Sequence, residues 1–238
     1  NNYNITAVNG VFEITAASTT VEWIDPADIV YGTALSPAEL NAAVNVEGTF
    51  VYTPAEGTIL NAGFMQMLHV EFIPDDSLNY TGSSKEVFIN VTPAELTATA
   101  DNKERNYGEA NPALTISYLG FVSTDTTDDI DALPEASTTA DTESPAGDYG
   151  ITVSGGSDSN YTFNYVNGTL TVKAVVPAVT TDSITGVTVD SASVSGTVTS
   201  NGGTDILARG VCISENENPA TTDACMNDAS GNSTFTVQ

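Results

Sequence analysis

One stretch of this chain occurs twice, and that repetition limits the folds open to it more than any single residue does. Asn2-Tyr3 through Val8-Asn9-Gly10 to Ile14 returns as Asn160-Tyr161 through Val166-Asn167-Gly168 to Val172, at a constant spacing of 158 residues. Self-similarity on this scale marks modules stacked along one chain. Residue 1 already falls inside one copy, so the chain is expected to be an excerpt of a longer tandem array.

Within the modules the pattern is that of strands. Val87, Ile89 and Val91 alternate with Phe88 and Asn90, and Ala192, Val194, Gly196 and Val198 alternate with serines and threonines. Period two places one face in a core and one in water. Turn residues recur at short intervals: Asn9-Gly10, Gly155-Gly156, Asn167-Gly168 and Asn201-Gly202-Gly203 are each expected to close a hairpin. Ser36-Pro37-Ala38-Glu39 carries a cap, a first-turn proline and a box glutamate ahead of Leu40, Ala43 and Val44, which predicts one or two helical turns. A similar string at Thr92 to Glu95 runs into Leu96-Thr97-Ala98-Thr99-Ala100, whose alternation predicts a strand instead.

These signals, with the short junctions Thr92-Pro93-Ala94 and Lys173-Ala174-Val175-Val176-Pro177, divide the chain into four pieces. Residues 1–17 are read as the end of a preceding module, 18–93 and 94–174 as two complete modules, and 175–238 as a third that is cut short. Links this brief, stiffened by proline, are expected to hold successive modules end to end as a semi-rigid, elongated rod. The fold class expected is therefore all-β, built from tandem β-sandwich modules.

Charge excludes whole classes of partner. Asp and Glu number 31 against five Lys and Arg, for a formal net charge of -26. A surface of that sign repels phosphate at long range and lacks the cations that release counterions from DNA, so nucleic acid is not an expected partner. Acidic chains are often disordered, but 40% of these residues are apolar and they alternate along strands, so an ordered chain is expected. No run of apolar residues is long enough to span a bilayer, so no direct membrane insertion is expected of this segment.

Catalytic parts are sparse. The single histidine, His69, lies in the alternating string Met67-Leu68-His69-Val70-Glu71-Phe72 and reads as a strand residue on the wet face. Nucleophile elbows, phosphate-cradling glycine loops and zinc-spaced histidine pairs do not occur in the sequence, so no enzyme and no resident cofactor is expected. Calcium is the sharper candidate, because Asp125, Asp128, Asp129 and Asp131 bring four carboxylates within seven residues, although the glycine and glutamate of an EF-hand are missing. The bland alternative is a solvated acidic loop. Cys212 and Cys225 are the only cysteines; in an oxidising compartment they would close a short loop for roughly 3 kcal/mol, and otherwise they are two independent buried thiols. The disulfide is the expectation. Asn-x-Ser/Thr triplets at Asn4, Asn79, Asn90, Asn160, Asn167 and Asn232 read as turn chemistry rather than glycan sites.

Tyr107-Gly108, Pro112-Ala113-Leu114-Thr115, Tyr118-Leu119-Gly120-Phe121, Ser144-Pro145-Ala146-Gly147-Asp148-Tyr149, Val153-Ser154-Gly155-Gly156 and Asn160-Tyr161 to Val172 together resemble the bacterial MBG domain of the YGX type. That resemblance spans nearly all of 94–174, and 1–17 resembles the end of another copy. Residues 18–93 are similar to bacterial Ig-like modules through Ile29-Val30-Tyr31-Gly32-Thr33, Gly48-Thr49-Phe50-Val51-Tyr52-Thr53-Pro54 and Phe72-Ile73-Pro74 through Asn79-Tyr80. Residues 175–238 resemble fibronectin-III-like modules through Ser195-Gly196-Thr197-Val198, Gly202-Gly203, Arg209-Gly210-Val211-Cys212 and Asn218-Pro219. Such resemblances imply a very large secreted or outer-membrane-attached protein of a Bacteroidota-type bacterium, often an adhesin exported by the type IX pathway. They also imply O-glycosylation at Asp-Ser/Thr strings, here at Ser77, Thr126, Ser183 and Ser191.

The function expected is that of a stalk or spacer in adhesion or gliding motility. Its partners would be neighbouring modules, with any contact to an extracellular surface or polysaccharide made by other regions. The alternative is a set of ancillary modules in a secreted polysaccharide-active enzyme, which exposed coplanar aromatics would favour. In either module type the tyrosines are expected to be folding residues first: Asn-Tyr-Thr starts a strand whose ring can pack across the sandwich.

Overall fold

The structure, a computed structural model, describes residues 3–8, 10–214, 219–228, 230, 231 and 234–237. Asn2 and Asn9 of the repeated stretch, Asn218 of the Asn218-Pro219 pair and the triplet at Asn232 therefore lie outside the described residues. The architecture is all-β, with several sheets of the sandwich type. Among the described residues no helix is long and apolar enough to cross a membrane.

Strands β1 (Tyr3–Val8), β2 (Val11–Ser18), β3 (Ile29–Val30), β4 (Gly48–Thr53), β5 (Gly63–Pro74), β6 (Tyr80–Thr81) and β7 (Ser83–Thr92) come first. They are followed by β8 (Ala94–Ala100), β9 (Lys103–Asn106), β10 (Ile116–Leu119), β11 (Glu135–Thr138), β12 (Gly147–Ser154), β13 (Tyr161–Val166) and β14 (Gly168–Lys173). The remainder forms β15 (Ala178–Thr185), β16 (Ser193–Ser200), β17 (Arg209–Ile213), β18 (Ala224–Asp228) and β19 (Thr234–Val237). A 3-10 turn, Thr127–Asp129, interrupts the strands once.

The sheet orders are β1-β2-β6, β3-β7-β5-β4, β10-β8-β13, β11-β12-β14-β9, β15-β16-β19 and β17-β18. Most neighbours are antiparallel, but β2 runs parallel to β6, β3 to β7 and β9 to β14. By contact density the chain forms two compact units, Asn1–Ala98 with Tyr118–Pro134 and Gly155–Tyr165, and Thr99–Ser117 with Glu135–Ser154 and Val166–Gln238.

In the first unit, alternation along β5 and β7 sends Leu68, Val70, Phe72, Val87 and Ile89 inward onto Val21, Trp23, Leu35 and Leu40. Trp23 meets Tyr52 edge to face at 5.4 Å and donates its indole N–H to Glu39 O at 3.1 Å. The tryptophan thus belongs to a core and offers no sugar platform. His69 stands between Thr53 and Glu86 in the ladder, half-buried, with Nδ1 3.7 Å from Glu86 Oε1, as a wet-face strand residue should. A second apolar cluster gathers Ala94, Leu96, Ile130 and Tyr161. The string after Thr92 is strand β8, alternately buried, as its pattern predicts.

The second unit buries Ile151, Val153, Leu170 and Val172 from the paired strands β12 and β14. Among its described residues the buried cation is Arg105, 5% exposed and satisfied by amide and carbonyl oxygens: Nε donates to Asn111 Oδ1 at 2.7 Å, and the guanidinium also reaches Asn106 O and Asp141 O. Further on, the core thins. Strand β15 is exposed along its whole length, while β16 buries Val194.

Two expectations need correction. The Ser36 to Glu39 box forms, with Ser36 N and Oγ both donating to Glu39 Oε2 and Leu40 N bonding Ser36 O, but it makes a turn and not a helix. The chain is drawn away because Ala42 N donates to Tyr52 Oη and Ala43 pairs with Glu22. Of the four expected hairpin turns, only the one between β1 and β2 joins paired neighbours, with Val8 opposite Val11. Gly155-Gly156, Asn167-Gly168 and Asn201-Gly202-Gly203 each lead from one sheet into another. At Gly168 the need for glycine is close approach, since a Cβ there would lie 2.5 Å from Ala100 O. The same Asn-Gly that turns a hairpin in one copy changes sheets in the other because β14 finds its ladder partners in β12 and β9.

Candidate functional site

A network of polar contacts lies where the Tyr31-Gly32 turn meets the loop after β10. Tyr31 follows β3, and its N–H donates to Thr92 O, the last residue of β7, at 2.8 Å. Gly32 then takes φ +95, a conformation that favours glycine, and a Cβ there would sit 2.7 Å from Val122 Cγ1. The turn frees the Tyr31 ring to leave its own sheet. It packs edge to face on Tyr161 at 5.4 Å, and Tyr161 packs in the same way on Phe121 at 5.9 Å.

Both phenols then converge on one carboxylate. Tyr31 Oη donates to Asp125 Oδ2 at 2.8 Å, Tyr161 Oη donates to the same oxygen at 2.7 Å, and Tyr161 Oη accepts Val122 N–H at 2.8 Å. Burial first, and then the Asp125 carboxylate, push the Tyr31 phenol up to about 12 and raise that of Tyr161 as well. Two neutral phenols bonded to an anion form a structural clasp at ordinary pH, because neither can act as a base there. Asn160 completes the arrangement: its Oδ1 accepts Ala62 N–H at 2.8 Å and its carbonyl accepts Ala94 N–H at 2.9 Å.

The four aspartates read as a calcium candidate do not converge. Asp125 is engaged by the tyrosines, Asp129 Oδ2 accepts from Thr126 N and Oγ1 in a capping box, and Asp131 Oδ2 accepts from Ser159 Oγ at 3.3 Å. Asp128 is exposed and its backbone N–H serves the Thr126 cap. Among the described residues no group of three or more His, Cys, Asp or Glu is placed to hold a metal ion. Asp125, Asp129 and Asp131 are each taken up by a separate donor, while Asp128 faces solvent.

Cys212 and Cys225 face each other in the β17-β18 ladder and are joined as a disulfide. The four hydroxyl residues implied as glycan acceptors, Ser77, Thr126, Ser183 and Ser191, are all exposed. Three of them also make local bonds: Thr126 caps the 3-10 turn, Ser183 Oγ lies 2.8 Å from Ser195 Oγ, and Ser191 Oγ lies 2.7 Å from Thr188 Oγ1. The triplet asparagines Asn79, Asn90 and Asn167 likewise serve the fold, bonding Asp76, Asp28 and Val153 N.

Residues 96–171 match the family model described as the MBG domain (YGX type). No curated protein matches the chain.

Proposed function

We propose that this chain is a piece of the semi-rigid stalk of a large secreted bacterial surface protein, an adhesin or filament, whose modules space and display rather than catalyse. The observation that carries the reading is how the links are held. Across Thr92-Pro93-Ala94, Ala62 N–H on one side donates to Asn160 Oδ1 on the other at 2.8 Å, and across Lys173-Ala174-Val175, Ala146 N–H donates to Gly203 O at 2.8 Å. A link fixed in this way gives up the freedom that a tether needs. MBG domains occur as repeats in surface proteins, which fits a stalk. The Ig-like and fibronectin-III-like readings of the flanking modules, export by the type IX route, a role in gliding and an outer-membrane attachment belong to this same proposal. A net charge of -26 supports it further by keeping neighbouring stalks apart.

One observation favours the second reading, ancillary modules of a polysaccharide-active enzyme. Phe163 and Tyr165 lie on one side of β13 with rings inclined by 12° at 6.1 Å, and Tyr165 is 41% exposed. Sugars stack on such faces. Antibodies against the chain should label intact, unpermeabilised cells; labelling only after permeabilisation would refute the stalk, and retention of the purified chain on an insoluble polysaccharide, lost in Tyr165→Ala, would favour the second reading.

A further inference from the structure

The Tyr-Gly pair occurs at the same structural position twice. Tyr31 N–H donates to Thr92 O and Tyr107 N–H donates to Lys173 O, both at 2.8 Å, in each case from the residue after a short strand to the end of the strand running parallel to it. Each tyrosine is followed by a glycine of positive φ, +95 at Gly32 and +82 at Gly108. In each case the ring then touches residues beyond the next linker. Tyr31 seats on Tyr161 and Asp125, whereas Tyr107 lies against Gly203, where a Cβ would come within 2.8 Å of Tyr107 Cγ. Gly203 O also accepts Ala146 N–H at 2.8 Å, and a Cβ on Gly202 would collide with Val175 O.

The linker keeps the same register. Thr15, Thr92 and Lys173 are equivalent, the first and last by the 158-residue repeat and the last two by accepting the Tyr-Gly N–H. The residue two further on is Ala17, Ala94 or Val175, and each donates its N–H forward, to Asn79 O, Asn160 O and Gly202 O. Two of those acceptors, Asn79 and Asn160, are the asparagines of Asn-Tyr pairs.

We propose that Tyr-Gly, the second residue past the last strand, and the Asn-Tyr pair of the following module form a directional docking joint. Its partner surface is another module of this chain: the ring projects forward from one module, and the next supplies either a tyrosine with an aspartate or a bare glycine turn to receive it. The residues usually read as folding residues of the Tyr-Gly motif are, on this account, contact residues for the neighbour. Where the receiving module has glycines in place of Asn-Tyr, the ring packs on Gly203 and the joint is held by the bond from Ala146 N–H to Gly203 O. This deepens the stalk reading and rests on it for its biological use, but its test does not depend on where the protein resides.

The test uses the full 238-residue chain, isotope-labelled, with residual dipolar couplings measured for amides in β4, β5 and β7 and in β8 and β13. In the parent chain both sets should fit one alignment tensor. Tyr31→Ala should split them into two while Trp23 emission stays that of the folded core, and Tyr31→Phe, which keeps the ring, should split them less. Tyr107→Ala should leave these two sets aligned and instead detach β15 and β16 from β12 and β14. Should Tyr31→Ala perturb Trp23, Asp125→Ala, on the receiving side, carries the same measurement. A shared tensor persisting in Tyr31→Ala, or in Asp125→Ala where that replaces it, would overturn the joint, as would two tensors in the parent chain. Either outcome leaves the surface-labelling test of the stalk untouched.

Discussion

Replacing Tyr161 by Phe isolates the clasp, because it removes one oxygen and keeps the ring. Tyr161 is 3% exposed, so no cavity of consequence opens and the packing on Tyr31 and Phe121 stays. Two hydrogen bonds disappear, the donation to Asp125 Oδ2 at 2.7 Å and the acceptance from Val122 N at 2.8 Å. Asp125 keeps Tyr31 and is only half-buried, so water can replace part of what it loses and about 1 kcal/mol is at stake there. Val122 N–H faces a carbon in place of its acceptor, a loss of about 2 kcal/mol. The sum is about 3 kcal/mol, which for the compact unit that holds the clasp lowers the melting temperature by about 10 °C. Calorimetry of the whole chain should show this in the transition that Trp23 and the β8–β13 amides report. A loss below about 0.5 kcal/mol would refute the assignment of the phenol as a buried double partner. Tyr31→Phe should cost less, since Tyr31 loses one bond, and the double variant should depart from additivity because both phenols share one oxygen.

Other expectations follow from the same structure. Stability should fall as pH rises from 10 toward 12: Tyr31 holds its proton in the fold to about 12 but releases it near 10.0 when unfolded, so the folded state binds more protons across that window. Asp125→Asn should lessen that fall without abolishing it, because burial is the larger cause of the shift. Arg105→Ala should cost about 2 kcal/mol in urea unfolding, because the buried guanidinium is removed and its part-buried acceptors, Asn111 Oδ1 and the Asp141 carbonyl, lose their donor. Cys212→Ser with Cys225→Ser should destabilise the β17-β18 ribbon by about 3 kcal/mol while leaving Trp23 emission unchanged. Asp128→Asn with Asp129→Asn should not change a calcium titration of the melting temperature, since among the described residues no three such groups are placed to share a metal ion; a calcium-dependent rise lost in the double variant would contradict the geometry.

What could be read from the sequence was what depends on near neighbours. The alternation at Val87, Ile89 and Val91, the strand after Thr92 and the inward ring of Tyr161 all follow from period two and local residue type. The clasp was not legible, because Tyr31 and Asp125 are 94 residues apart and nothing local to either names the other. Asp125, Asp128, Asp129 and Asp131 invited a cation because spacing shows proximity but not direction. A better signal was present in Thr126-Thr127-Asp128-Asp129, whose cap and third-position acid spell the capping box that the structure forms. Asn-Gly likewise announced a turn twice but not what the next strand would pair with, and the two copies answer that differently. Asn160 was read as part of a turn, and its service to Ala62 and Ala94 depends on a segment distant in the chain.

The stalk reading is tested most directly by small-angle scattering of the 238-residue chain in solution. A compact globule of this length has a radius of gyration of about 18 Å. Three modules end to end, each about one ten-residue strand of ~34 Å in length, reach about 100 Å and a radius of gyration near 30 Å. The account predicts the larger value with a rod-like pair-distance distribution, and a radius close to 18 Å would contradict it.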